Sequence, residues 1–431
     1  MFSVGHLGTK ELAGMMLSEL LIGIFVFSPS FGLTSAMETY CSTAYTASRD
    51  KKLVGFYFQR GLIAAVAHLF VVAPILWHAE SLLLAIGQGP RVAELSGMYM
   101  RSQIFGVLGW SIFEACKRYL QSQGIMRAGA LVLLVVIPIH MFISYLLVYS
   151  PTYGIGFTGA AISTVISEWL MVAGITIYIL KSRAMETWGG WDYRALRGMS
   201  SFYWLAIPAV IMMWAEWVVF ELISVGSSYF GSTELVASAI MINAQIQVMH
   251  MNNGIGSGAS PRIGNLIGAG KPRLAHITSC VAVATSSFVG IMCTLFLAVL
   301  GEWWVSIYST DPEVFPTVRK IITISYIFTT FNGLNSVLGG IMRGLGRQKP
   351  SAIINMVGYH LCGVPLGVYL AFGLKMQVPG LWWGVCVGVL LVFITHTVYI
   401  YMLVDWKDEV KLCLARLQQS HANIEDNQDQ E

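Results

Sequence analysis

The sequence predicts an all-α protein that threads a membrane about eleven times, and three observations carry that prediction. Of 431 residues, 55% are hydrophobic and 11% charged, with a mean hydropathy of +0.65, whereas a soluble domain carries about a quarter charged residues. Apolar runs of about 20 residues, the length that spans hydrocarbon as a helix, recur along almost the whole chain. Lys and Arg gather in alternate connections between those runs, as the positive-inside rule requires. Barrel strands would be about half as long and alternate in polarity, which these segments do not.

In chain order the predicted spans centre on residues 20–35, 62–76, 104–113, 131–148, 160–180, 203–225, 235–255, 277–300, 321–338, 353–372 and 381–402. One set of connections holds nineteen basic residues: Arg49, Lys51, Lys52; Lys117, Arg118, Arg127; Lys181, Arg183, Arg194, Arg197; Arg262, Lys271, Arg273; Arg343, Arg347, Lys349; and Lys407, Lys411, Arg416. The other set holds only Lys10, Arg91 and Lys375 clearly in loops. The first set and the C-terminus are therefore expected in the cytoplasm, and the first ten residues lack the apolar core of a cleavable leader. From Gln418 the chain turns polar and acidic, which reads as a disordered tail.

An internal repeat divides the chain. Leu7-Gly-Thr-Lys-Glu-Leu12 echoes Phe230-Gly-Ser-Thr-Glu-Leu235, Thr46-Ala47 echoes Gly268-Ala269, Gly124 echoes Gly346, and Gly159 echoes Gly380, all at offsets of 221 to 223. A near-constant offset implies two similar parallel halves, with substrate and ion sites near the midplane between repeats. The expected organisation is an N-terminal lobe over 1–180 with five spans, a linker over 181–200, a C-terminal lobe over 201–404 with six, and a tail over 405–431. The counterpart of the span bearing Glu216 would fall before residue 5, so the first lobe reads as one helix short.

Glu216 and Glu221 lie in Ile211-Met-Met-Trp-Ala-Glu-Trp-Val-Val-Phe-Glu-Leu-Ile-Ser224, an apolar stretch with no Lys or Arg. Ionisable groups at membrane depth are costly and default to a functional reading. Desolvation favours the neutral carboxyl, which can bind a proton and release it when a cation arrives. Five residues apart, at ~100° per residue, the two acids point about 140° apart, so only one faces a central cavity. Glu216, nearer mid-span, is the preferred proton site, with Glu221 second.

At these landmarks the sequence resembles the multidrug and toxic compound extrusion (MATE) family over essentially the whole chain. The resemblance is carried by Gly5-His-Leu-Gly-Thr-Lys-Glu-Leu-Ala13, Ser35-Ala-Met-Glu-Thr-Tyr-Cys-Ser-Thr-Ala-Tyr45, Arg262-Ile-Gly-Asn-Leu-Ile-Gly-Ala-Gly270, Met342-Arg-Gly-Leu-Gly-Arg-Gln348 and Glu216-Trp-Val-Val-Phe-Glu221, the last similar to the signature of the eukaryotic branch. It implies two six-helix lobes around a central cavity. Where many members carry further carboxylates, this chain has Asn332 and Asn243, which cannot titrate and are expected to serve as neutral hydrogen-bond partners of the glutamates, with Trp217 beside them. Glu38 stands where relatives also have an acid. Its closeness to the Arg49 cluster leaves a salt-bridged helix end and a transport role both open.

Gly264-Asn-Leu-Ile-Gly-Ala-Gly-Lys-Pro272 lacks the spacing and following Ser or Thr of a phosphate loop and reads as a helix end and turn. The seven Cys show no paired spacing, and the six histidines within or near spans do not cluster. Glu19, Glu114 and Glu168 stay without a role, although Glu114 precedes Lys117 and Arg118. The expected protein is not an enzyme and uses no cofactor. It is a monomeric antiporter in the plasma or vacuolar membrane, exporting organic, chiefly cationic, small molecules in exchange for protons by alternating access. Sodium is the alternative coupling ion. No nucleic acid is implied. A truncated non-transporting protein and a lipid-linked-sugar flippase are the competing readings, the latter disfavoured by the near-absence of basic residues in the spans.

Overall fold

The structure, a computed structural model, describes residues 4, 7–85, 87–308 and 312–425; Gly5 and His6 of the first family motif lie outside them. The chain separates into two compact units, one of Met1–Ala206 together with the chain from Ser420 onward, the other of Ile207–Gln419. Among the described residues, nine helices are long and apolar enough to cross a membrane. Two more, Pro90–Ser122 and Ser232–Gly268, have the length but carry more polar residues. Each of the eleven predicted spans falls on one of these helices.

The first unit contains α1 (Thr9–Ile22), which continues through a widened turn at Gly23–Phe27 into α2 (Ser28–Ala47), then α3 (Lys52–Trp77), the short α4 (Ala79–Ala85), α5 (Pro90–Ser122), α6 (Ala128–Tyr149) and α7 (Phe157–Lys181). Helix α5 is its hub, packing on α1, α2, α3, α4 and α7. Tyr99, Met100 and Val107 of α5 join Ile22, Val26, Leu76, Phe157 and Ala161 in one apolar core.

That hub position explains why α5 is the more polar helix. Its inner face carries Glu114 and Arg118, 2% and 4% exposed at the side chain, and Arg118 pairs with both Glu114 (Nε to Oε1, 3.0 Å) and Glu38 of α2, itself 1% exposed. Lys117 also pairs with Glu114. Glu38 is thus held by Arg118 across two helices, and Arg118, counted above among loop charges, is a buried helical residue.

The linker holds two short 3-10 turns, Arg183–Thr187 and Tyr193–Leu196. It is pinned to α3: Gln59 Nε2 donates to Gly190 O at 2.6 Å, Gln59 Oε1 accepts from Asp192 N at 2.8 Å, and Arg60 Nη2 donates to Arg197 O at 2.7 Å. Arg194, hydrogen-bonded to Asp192, holds that carboxyl below the usual carboxylate range.

Helix α8 (Met199–Ser228) leads into the second unit, followed by α9 (Ser232–Gly268), α10 (Pro272–Tyr308), α11 (Val314–Gly344), α12 (Gln348–Asn355), α13 (Val364–Val368), α14 (Val378–Val398) and α15 (Trp406–Glu425). Widened turns at Met356–Gly363, Tyr369–Gly373 and Tyr399–Leu403 continue α12, α13 and α14. Helix α11 is the hub here, packed on α9, α10 and α14. Small residues allow the closest crossings: a side chain on Gly340 of α11 would meet Gly256 O of α9 at 2.7 Å, and one on Gly388 of α14 would meet Gly358 O at 2.8 Å. Close backbone approach through glycine is how membrane helices gain packing where lipid gives no hydrophobic drive.

Helix boundaries repeat along the chain. Gly8 and Gly231, 223 apart, precede α1 and α9, and Gly124 (φ 78°) and Gly346 (φ 70°), 222 apart, follow the two hub helices. Both of the latter take the left-handed conformation that ends a helix and favours glycine. The segment Gly264–Pro272 is, as read from sequence, a helix end and turn: the end of α9, a turn at Gly270 (φ 68°) and the Pro272 start of α10. The tail expected to lack structure from Gln418 is instead helical as far as Glu425, as part of α15. The start of α15 is docked by Glu409, 1% exposed at its side chain, which accepts from Arg347 Nε at 2.8 Å. Burial works against the Arg347 charge, but the Glu409 carboxylate outweighs it and holds the guanidinium pKa above its ordinary value.

Candidate functional site

Glu216 sits in the middle of α8, eight residues after Pro208, which removes one backbone donor from that helix. It is 8% exposed within a unit whose core contains Val219, Phe220 and Ile223 of the same helix. Burying a carboxyl there requires polar partners. They come from α12 and α11. Asn355 Nδ2 donates to Glu216 Oε1 at 3.1 Å and to Met212 O at 3.2 Å, so one amide fixes both the carboxyl and the helix turn below it. Arg343, in the last turn of α11 and 4% exposed, lies close enough to act on Glu216 electrostatically. Gly339 makes room for both: a side chain there would sit 3.6 Å from Arg343 Nη1 and 3.9 Å from Glu216 Oε1.

Next to this group Tyr359 is fully enclosed, and its hydroxyl accepts from Asn335 Nδ2 at 3.3 Å. The same Nδ2 reaches Val389 O at 3.0 Å. Glu216 lies close enough to act on Tyr359 electrostatically, and hydrogen bonds join Tyr359 through Asn335 to α14.

Glu221 behaves differently. It is half-buried and has no hydrogen-bond or ion-pair partner among the described residues. Different environments for two acids five residues apart follow from their angular separation on α8. Trp217 packs on the apolar core and sets its ring 6.2 Å from that of His250.

Among the described residues, neither asparagine expected to partner the glutamates is hydrogen-bonded to them. Asn243 is exposed and returns its Nδ2 to Ala239 O of its own helix at 3.0 Å. Asn332 is buried on α11, where its backbone oxygen accepts from Ser336 Oγ at 3.5 Å. A short polar side chain within a helix readily satisfies itself on the preceding turn. Asn355 and Arg343 take the place foreseen for them. Asn355 gave no sequence signal. Arg343 lay in the quoted motif Met342-Arg-Gly-Leu-Gly-Arg-Gln348 but was read as a loop charge.

Two compact units of membrane-length helices, with a buried carboxyl in the middle of one apolar span, make up the described fold. The MatE family model matches residues 1–146 and 208–369, and the chain belongs to that family. It is 32% identical over 95% of its length to an uncharacterized transporter of Schizosaccharomyces pombe, covering 76% of that protein. It is 31% identical to multidrug and toxin extrusion protein 1 of Mus musculus, over 98% of this chain and 73% of the mouse protein. Among solved structures, the eukaryotic MATE transporter AtDTX14 superposes with a TM-score of 0.90 at 26% identity, covering 96% of this chain and 92% of that one. The protein is thus a multi-pass membrane transporter of eukaryotic MATE type.

Proposed function

We propose that the protein exports organic cations in exchange for protons by alternating access, with Glu216 as the group for which proton and cation compete. The observation that carries this reading is the buried Glu216 carboxyl held by Asn355 beside Arg343. An ionised Glu216 keeps an internal counter-cation in Arg343, so it can stand empty between substrates without an isolated buried charge. An organic cation arriving at the carboxylate competes with Arg343 for it. A proton entering from the opposite side neutralises the carboxyl, removes the attraction and favours release. The two ligands of one group shift the population of the transporter's two states, as coupled exchange requires. Asn355, anchored to Met212 O as well, keeps the carboxyl in one orientation through the cycle.

The excess of basic residues in one set of connections supports a cytoplasmic C-terminus, in a plasma or vacuolar membrane. A cysteine at Arg347 should accordingly react with impermeant reagents only from the cytoplasmic side. Purified protein in proteoliposomes tests the coupling: a fluorescent organic cation should move against an imposed pH gradient and ignore a sodium gradient of equal size. Uptake driven by sodium alone would refute proton coupling.

A further inference from the structure

Glu168 of α7 is 6% exposed, and its Oε2 finds no hydrogen-bond partner. It points at Gly106 of α5, where any side chain would collide with it; Gln103 Oε1 lies 2.8 Å from the same position. The Gln103 amide nitrogen is already turned to Ala161 O at 3.4 Å, which leaves Oε1 as an acceptor facing the carboxyl. Glu19 of α1 lies close enough to act on Glu168 electrostatically, and it accepts from the Tyr99 hydroxyl at 2.6 Å. Tyr99 is itself fully buried and also meets Thr164, one turn before Glu168.

These groups are all in the first unit, whereas Glu216 belongs to the second. From α6, His140 is engaged at Ser167 Oγ, 2.7 Å away. No Lys or Arg pairs with Glu168 among the described residues. The result is an acceptor oxygen and an unpartnered buried carboxyl oxygen facing one position at Gly106, with a second carboxylate near enough to act on them. Oxygens so placed favour a proton between them, because a second like charge in a poorly solvated site is costly.

We propose that Glu168 and Glu19 form a second proton-binding site in the first unit, with the proton on Glu168 Oε2 directed to Gln103 Oε1. Tyr99 donates to Glu19 and so assigns Glu19 the acceptor role, leaving Glu168 as the group that carries the proton. On deprotonation the proton leaves to water and Glu168 becomes a second carboxylate beside Glu19, so the pair goes from one negative charge to two. The site does not depend on the role given to Glu216.

Infrared difference spectroscopy of the full chain in lipid, titrated with pH, tests this through the C=O band of a protonated buried carboxyl. Wild type should lose such a band as pH rises. Glu168→Gln should abolish that component, Glu19→Gln should move its midpoint by about one pH unit, and Glu216→Gln should leave it in place. If Glu168→Gln does not fold, the Glu19→Gln shift alone decides. A spectrum unchanged by both substitutions, a Glu168 band that persists at every pH, or a band removed by sodium but not by choline at fixed pH would each overturn the proton site.

Discussion

Replacing Arg118 by Met should destabilise the first unit strongly. Arg118, Glu38 and Glu114 are 4%, 1% and 2% exposed at their side chains, so the ion pairs operate with almost no help from water. Glu114 would keep Lys117, but Glu38 would lose its only ion-pair partner among the described residues, and its Oε1 already has no hydrogen bond. Removing one member of a buried ion pair typically costs about 3–5 kcal/mol. For a unit of this size that is a fall of about 10 °C in melting temperature. Adding Glu38→Gln to Arg118→Met removes the stranded charge and should restore part of the loss, a coupling of about 1–3 kcal/mol. Tryptophan fluorescence of the detergent-purified protein during heating measures both. An Arg118→Met protein melting within about 2 °C of wild type would show that the pair is not load-sharing in the fold and that solvent reaches it.

Gly340→Leu should separate α9 from α11, since its side chain has Gly256 O and Cα at 2.7 and 2.8 Å in its way; a loss of about 1–3 kcal/mol is expected, read by the same melt. Glu409→Ala should release the start of α15 from Arg347 at a cost of about 1–3 kcal/mol, seen as about tenfold faster amide exchange over residues 406–413 with the melting of the remainder unchanged.

Hydropathy and run length made the eleven spans legible because lipid imposes length and apolarity on every one of them. The weakest were α5 and α9, which are polar because they pack inside their units: α5 carries the Glu114 and Arg118 pair, and α9 carries Gln245, bonded to Thr329, and Asn252, bonded to Ser286. Glu216 stood out from sequence because a lone acid in an apolar span is rare. Its partners did not, since Asn355 is 139 residues away and an amide in a span carries no periodic signal. Arg343 was misread for a physical reason. Counting basic residues by side treats a helix end as loop, whereas a long side chain in the last turn can fold back along its helix into the interior. The same holds for Arg118. The helical stretch from Gln418 to Glu425 was hidden by its polar composition.

The central claim is that Glu216 is where proton and substrate compete. Exchange of a fluorescent organic cation by reconstituted Glu216→Gln protein tests it, because Gln keeps the shape and the Asn355 hydrogen bond but cannot ionise. Loss of a charge-assisted contact of about 1.5–3 kcal/mol predicts cation affinity about 10- to 100-fold weaker and pH-gradient-driven exchange reduced to background, with Glu221→Gln affected less. A Glu216→Gln protein that elutes as a single folded species and exchanges at the wild-type rate would contradict the account.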